Sequence, residues 1–144
     1  MSQTNELEIM ERIALDLEGV EESLASSFNT GAEDFNALIR PLSAAGGKRL
    51  RAQLCLLIAN AGTSVERQRI RIAEAVEMLH LATLIHDDVL DQAEIRRGEE
   101  TIHMHKGNKV AILSGDYLFA KAFQIVSEMP NMKYLQIFSH IITC

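Results

Sequence analysis

This 144-residue chain contains no tryptophan, only 5% aromatic residues, and just two prolines and two cysteines. Each scarcity excludes something. With only Pro41 and Pro130, long helices can run unbroken between them. Cys55 and Cys144 have neither metal-ligand spacing nor a disulfide-framework pattern, and Cys55 sits in an apolar run, so it reads as a buried, reduced thiol. A basic excess is also lacking: 14 Lys and Arg face 20 Asp and Glu, giving a net charge of −6, which argues against non-specific nucleic-acid binding. No apolar run looks long enough to span a bilayer, and the polar, acidic start does not read as a signal peptide. The expectation is a cytoplasmic protein that does not span a membrane. No strand pattern and no internal repeat are visible.

What is present is 47% hydrophobic and 24% charged residues, enough for one domain with a sizeable core. Apolar steps of three and four predict an all-α bundle. The first helix runs from about 6 to 28 and is closed by Asn29-Thr30-Gly31; the second runs from about 32 to 44, its last turn disturbed by Pro41. A third follows from about 48 to 60, with Leu50, Leu54, Leu57 and Ile58 expected inward. A fourth, from about 65 to 92, is capped by Thr63 or Ser64 and is apolar nearly all round, which places it in the middle of the bundle. Residues 92–106 read as a polar loop. Helices from about 109 to 128 and from about 135 onward complete the pattern. The last is still apolar at Cys144, which suggests a longer chain cut short or a subunit that completes itself on a partner.

The chemistry gathers around the fourth helix. Asp87 and Asp91 are four positions apart, so they share a face at roughly 6 Å, and Asp88 is turned by about 100° but can reach the same opening. Carboxylates on one dry face repel unless a cation meets them. Hard oxygen ligands with no Cys partner favour Mg²⁺, which keeps waters and bridges to phosphates, over Ca²⁺. His86 beside them could suggest zinc or iron, but no Glu-x-x-His set accompanies it. His80, two turns earlier, is either a hydrogen-bonded core histidine or a polar group facing the site. After two glycines, Lys48 and Arg51 share a face in the third helix's first turn. They are either solvated charges or, beside free backbone N–H groups, an anion site. Arg96 and Arg97 are either loop charges or a second anion clamp. An acidic metal site beside cations is what handling a diphosphate requires.

These residues resemble the trans-isoprenyl (polyprenyl) diphosphate synthases, long-chain type. GGKRLR at 46–51, His80, HDDVLD at 86–91, RRG at 96–98 and GNKxAILSGD at 107–116 follow the family's order and spacing. The likeness covers about residues 40 to 120 and, more loosely, both ends. It implies a helical bundle of the isoprenoid synthase type around a deep apolar cavity, usually a homodimer; a heteromer with a synthase subunit is the alternative assembly expected for this chain. It implies condensation of isopentenyl diphosphate onto an allylic diphosphate. By motif, Asp87 and Asp91 would ligate Mg²⁺ on the allylic diphosphate, with Asp88 assisting and Arg96 binding that diphosphate. Lys48, Arg51, His80 and Arg97 would hold isopentenyl diphosphate. Small Ala82 and Thr83, one turn below Asp87, either pack tightly or let a growing tail pass, which predicts a product longer than farnesyl.

Two departures stand out. Ala52 replaces a common proline, and the family's second aspartate-rich motif has no counterpart in these residues. The expectation is therefore that 1–144 is the N-terminal part of a single polyprenyl synthase domain, with little turnover alone. The alternative is a non-catalytic subunit that modulates a full-length synthase. A third possibility, an interaction module whose aspartates merely end a helix, sits badly with the helix dipole.

Overall fold

The computed structural model describes residues 3–44, 47–62 and 64–143. Gly46, one of the two turn glycines, Thr63, one of the two expected caps, and Cys144 lie outside them.

The order is α1 (Gln3–Ser27), α2 (Glu33–Ala44), α3 (Leu50–Asn60), α4 (Glu66–Leu90), β1 (Ile95–Arg96), β2 (Glu99–Glu100), α5 (Ile102–Lys106), α6 (Asn108–Ser127) and α7 (Met132–Thr143). The all-α expectation holds. Helix α4 is central, lying along α6 on one side and against α1 and α3 on the other. Its buried residues include Ala73, Ala75, Met78, Leu81, Ala82 and Ile85, which is why its sequence is apolar nearly all round. The facing stripe of α6 is Ala111, Ser114, Gly115, Leu118, Ala122 and Ile125, a spacing of three and four. Small residues let helices approach closely: a Cβ on Gly19 of α1 would lie 2.7 Å from Ile70 Cδ1 of α4.

Buried charges reinforce these contacts only because each is paired. Glu74, fully buried, accepts from Ser23 and Ser27 of α1 and from Arg71, each at 2.6 Å. Asp16 of α1 accepts from Arg69 of α4 at 2.9 Å and from Asn60 of α3 at 3.0 Å.

Four expectations need correction. Residues 92–106 are not a plain loop. Arg97 and Gly98, with φ of 53° and 87°, form a two-residue turn of the kind that closes tight hairpins, pairing Ile95 with Glu100 and Arg96 with Glu99. Ser64 does not cap α4; its hydroxyl donates back to the Ala59 carbonyl at 2.7 Å. On α3 the inward residues are Ala52 and Leu56, while Leu50, Leu54, Leu57 and Ile58 are 48–66% exposed. With apolar residues spread around most of the helix, the pattern does not announce which face is buried. Finally, α6 is, by length and composition, apolar enough to cross a membrane, although its buried stripe packs on α4 as a core helix would.

Candidate functional site

A pocket of about 590 Å³ opens between α2, the start of α3, α4 and the β1–β2–α5 segment. Helix α4 contributes Glu77, His80, Leu81, Leu84, Ile85 and Asp88 to its wall, steps of three, four and one that trace a single face. Lys48 and Arg51 come from the entry to α3, and Arg96 and Arg97 from the hairpin. The hairpin brings Arg97 onto the glycine turn: a Cβ on Gly47 would lie 3.6 Å from Arg97 Nη2. All five residues expected to bind substrate therefore meet in one pocket, although they span fifty positions of sequence.

Lys48 is not in the helix, as expected from sequence, but in the turn before it, because α3 begins at Leu50. Lys48 and Arg51 are both exposed, with no side-chain ion pair among the described residues. Burial, followed by Arg51, lowers the His80 pKa; Arg97 and Arg96 push the same way and Glu77 opposes them. His80 thus stands in the field of three arginines, where the neutral imidazole is favoured.

The backbone N–H groups expected to be free at the start of α3 are partly taken. The Ala52 N–H donates to Glu77 Oε1 at 3.0 Å. The other Glu77 oxygen accepts from Arg49 at 3.3 Å. Arg49 also donates to Glu21 on α1, at 2.6 and 3.1 Å, and to the Ser43 carbonyl on α2 at 2.7 Å. Burial, the largest influence, works against its charge, but the Glu21 hydrogen bond and charge, with Glu77, outweigh it and raise its pKa. Neither Arg49 nor Glu77 was singled out from sequence. The available signal was a Glu inside an apolar helical run, which must find a partner when buried.

The aspartates divide. Asp88 is 4% exposed and lines the pocket, and its Oδ1 accepts from Nε and Nη2 of Arg96, each at 2.7 Å. That bond, ahead of the charges of Asp88, Asp87 and Asp91, raises the Arg96 pKa. Asp87 and Asp91 are exposed and are not in the pocket wall, so the expectation of one shared opening for all three is not met. The 100° between successive residues turns Asp88 inward and Asp87 onto the flank. Among the described residues no three His, Cys, Asp or Glu side chains gather as a metal-ligand group. His86 does not join Asp87 and Asp91 either; its Nε2 lies 3.4 Å from Asp116 Oδ1 on α6. It reaches α6, with Nε2 3.1 Å from the Ile112 carbonyl and its ring stacked on Phe119. Gly115 makes room for it, since a Cβ there would lie 2.2 Å from Nε2. Ala82 is fully buried and Thr83 half-buried, its hydroxyl donating to the His80 carbonyl at 2.8 Å. Neither lines the pocket.

A helical bundle holding a cationic pocket against an aspartate-ended central helix is the fold of the isoprenoid synthases. It matches the crystal structure of a polyprenyl synthase from Caulobacter crescentus CB15, complexed with calcium and isoprenyl diphosphate, with a TM-score of 0.83 and 36% identity over 90% of this chain and 41% of that one. The polyprenyl synthetase family model matches residues 32–143, and the chain belongs to that family. It is 34% identical over 140 residues to the chloroplastic solanesyl diphosphate synthase 1 of Arabidopsis thaliana, covering 93% of this chain and 34% of that protein. With the octaprenyl diphosphate synthase of Escherichia coli K12 it shares 33% over 134 residues, 93% of this chain and 42% of that one. The chain thus spans between 34% and 42% of the length of these curated relatives.

Proposed function

We propose that residues 1–144 are the N-terminal part of a single polyprenyl synthase domain, and that they carry its isopentenyl diphosphate pocket and the first half of its metal site. The reaction is condensation of isopentenyl diphosphate onto an allylic diphosphate to give a long trans-polyprenyl diphosphate. The observation that carries this is the meeting of Lys48, Arg51, His80, Arg96 and Arg97 in one pocket. The ammonium of Lys48 and the guanidinium of Arg51, which have no side-chain ion pair among the described residues, suit a diphosphate. Lys48 and Arg51 would grip its oxygens, Arg97 would close over it from the hairpin, and His80 would donate from the floor.

Asp87 and Asp91 fit a magnesium ion by their chemistry: hard oxygen donors, solvent-accessible, without side-chain partners among the described residues. Asp88, held by Arg96, would support them from behind. Bound there, magnesium would neutralise the leaving diphosphate's developing charge. The calcium and isoprenyl diphosphate in the Caulobacter structure favour the same pairing of divalent cation and diphosphate. A long product is favoured by the solanesyl and octaprenyl relatives. A cytoplasmic location suits Cys55, whose thiol is free and pushed up in pKa by burial. Dimer or heteromer assembly belongs to the same reading. The relatives named above are synthases, which favours a synthase part over a modulating subunit.

The test is a condensation assay with isopentenyl diphosphate, farnesyl diphosphate and Mg²⁺, run on this chain and on this chain mixed with the C-terminal part of a relative. Product only in the mixture supports the reading. No product in either, with substrate binding absent by calorimetry, removes it.

A further inference from the structure

Arg49, next to Lys48, lines the same pocket but is itself buried. Arg49 has a left-handed backbone, φ 48° and ψ 38°, and no side-chain cap to α3, a conformation that costs a non-glycine residue of order 1 kcal/mol. That turn sends its guanidinium inward, to 8% exposure. There it joins Glu21 of α1, the Ser43 carbonyl of α2 and Glu77 of α4. Glu77 in turn accepts the Ala52 N–H, a first-turn donor of α3 that would otherwise lack a partner. Glu77 therefore caps α3 from a neighbouring helix. Lys48 and Arg51 flank this anchor on both sides, and neither has a side-chain ion pair among the described residues.

We propose that Arg49 and Glu77 are positioning residues for the anion pocket: their buried pair locks the Gly47–Ala52 turn so that Lys48 and Arg51 are aimed into it. This rests on the pocket being a diphosphate site.

The sign of one substitution separates positioning from simple charge. Glu77 itself lines the pocket, so removing its negative charge would by Coulomb's law alone strengthen anion binding. Positioning demands the opposite. Inorganic pyrophosphate would be titrated calorimetrically into the wild-type chain and into Lys48→Ala, Glu77→Gln and Arg49→Lys, with folded fraction set by circular dichroism. We expect Lys48→Ala to weaken binding and Glu77→Gln to weaken it about three- to tenfold, as coupled neighbours do. Arg49→Lys keeps the charge but loses the fork, and should weaken it by about threefold. If wild type binds and Lys48→Ala weakens it, while Glu77→Gln binds equally or more tightly, the positioning role is wrong and the pocket reading stands. Should Glu77→Gln fail to fold, an undiminished affinity in Arg49→Lys overturns the role in the same way. No binding by wild type, or none lost in Lys48→Ala, removes the pocket reading and the proposal with it.

Discussion

The two ends of the candidate site are built differently, although a few residues of α4 separate them. At the pocket, every buried charge has its counter-charge within this chain: Arg49 with Glu21 and Glu77, and Arg96 with Asp88. At the end of α4, Asp87 and Asp91 stand exposed, with apolar Leu90 and Ile95 exposed beside them. A buried charge network must be finished to be tolerated at all, whereas exposed carboxylates can wait for a cation. On the proposed reading, the anion half is therefore framed by a finished charge network and the metal half is not, and the two can be tested apart.

The largest expected effect falls where the aspartate end is seated on α6. Gly115→Ala drives a Cβ into the His86 ring, and Ala82→Phe forces an aromatic ring into a site with no exposed surface. Overpacking of this kind costs about 1–3 kcal/mol, read as a lowered thermal midpoint. Gly115→Ala should displace the end of α4 while leaving metal-free pyrophosphate affinity within twofold, roughly 0.4 kcal/mol. A parallel loss of affinity would show that the two ends move as one body.

Next in size is the pocket's own grip. Lys48→Ala combined with Arg51→Ala removes two exposed cationic partners of the anion, and solvent screening holds the expected loss of pyrophosphate affinity to about tenfold, roughly 1.4 kcal/mol. An unchanged isotherm would place the anion elsewhere and dissolve the contrast between the ends.

How far the sequence could see follows the same divide. Helices with a one-sided stripe, such as α1, and the central position of α4 were legible because burial writes a period of 3.6. The residues that line the pocket were legible as types at given spacings. Their partners were not. Nothing local marks Arg49 as the arginine that turns inward; its left-handed backbone and its contacts with three other helices are tertiary facts. The hairpin was missed because strands of two residues carry no alternation, leaving only Arg97-Gly98 as a turn signal. The split among the aspartates was missed because a shared helix end does not mean a shared face.

A smaller effect comes from the metal. Magnesium alone should add little thermal stability, because two exposed carboxylates hold it weakly. Magnesium with pyrophosphate should add more than the sum of each, following RT ln(1 + [L]/Kd) for a ligand that binds only the folded chain. Asp87→Asn and Asp91→Asn should each remove that excess, and EDTA should reverse it in wild type. An excess that survives both substitutions would move the cation away from α4.

The smallest effect separates the pocket from bulk charge by pH. Burial, and then Arg51, lower the His80 pKa, so the fold favours the neutral imidazole. Below the unfolded value of about 6.5, the unfolded chain takes up a proton that the fold resists. His80 therefore costs stability as pH falls below that point, and the loss levels off once pH passes the folded value. A bound anion reverses this preference by offsetting the arginine field, so pyrophosphate binding should take up part of a proton and strengthen toward acid pH. Pyrophosphate titrates in the same range, so the informative quantity is the ratio of wild-type affinity to that of His80→Gln, from pH 8 down to pH 6, in which the ligand's own protonation cancels. That ratio should rise toward acid pH, while the thermal midpoint of the empty wild type falls more steeply than the variant's. A flat ratio would mean that the imidazole does not sense the anion, leaving His80 as a hydrogen-bonded wall of the pocket.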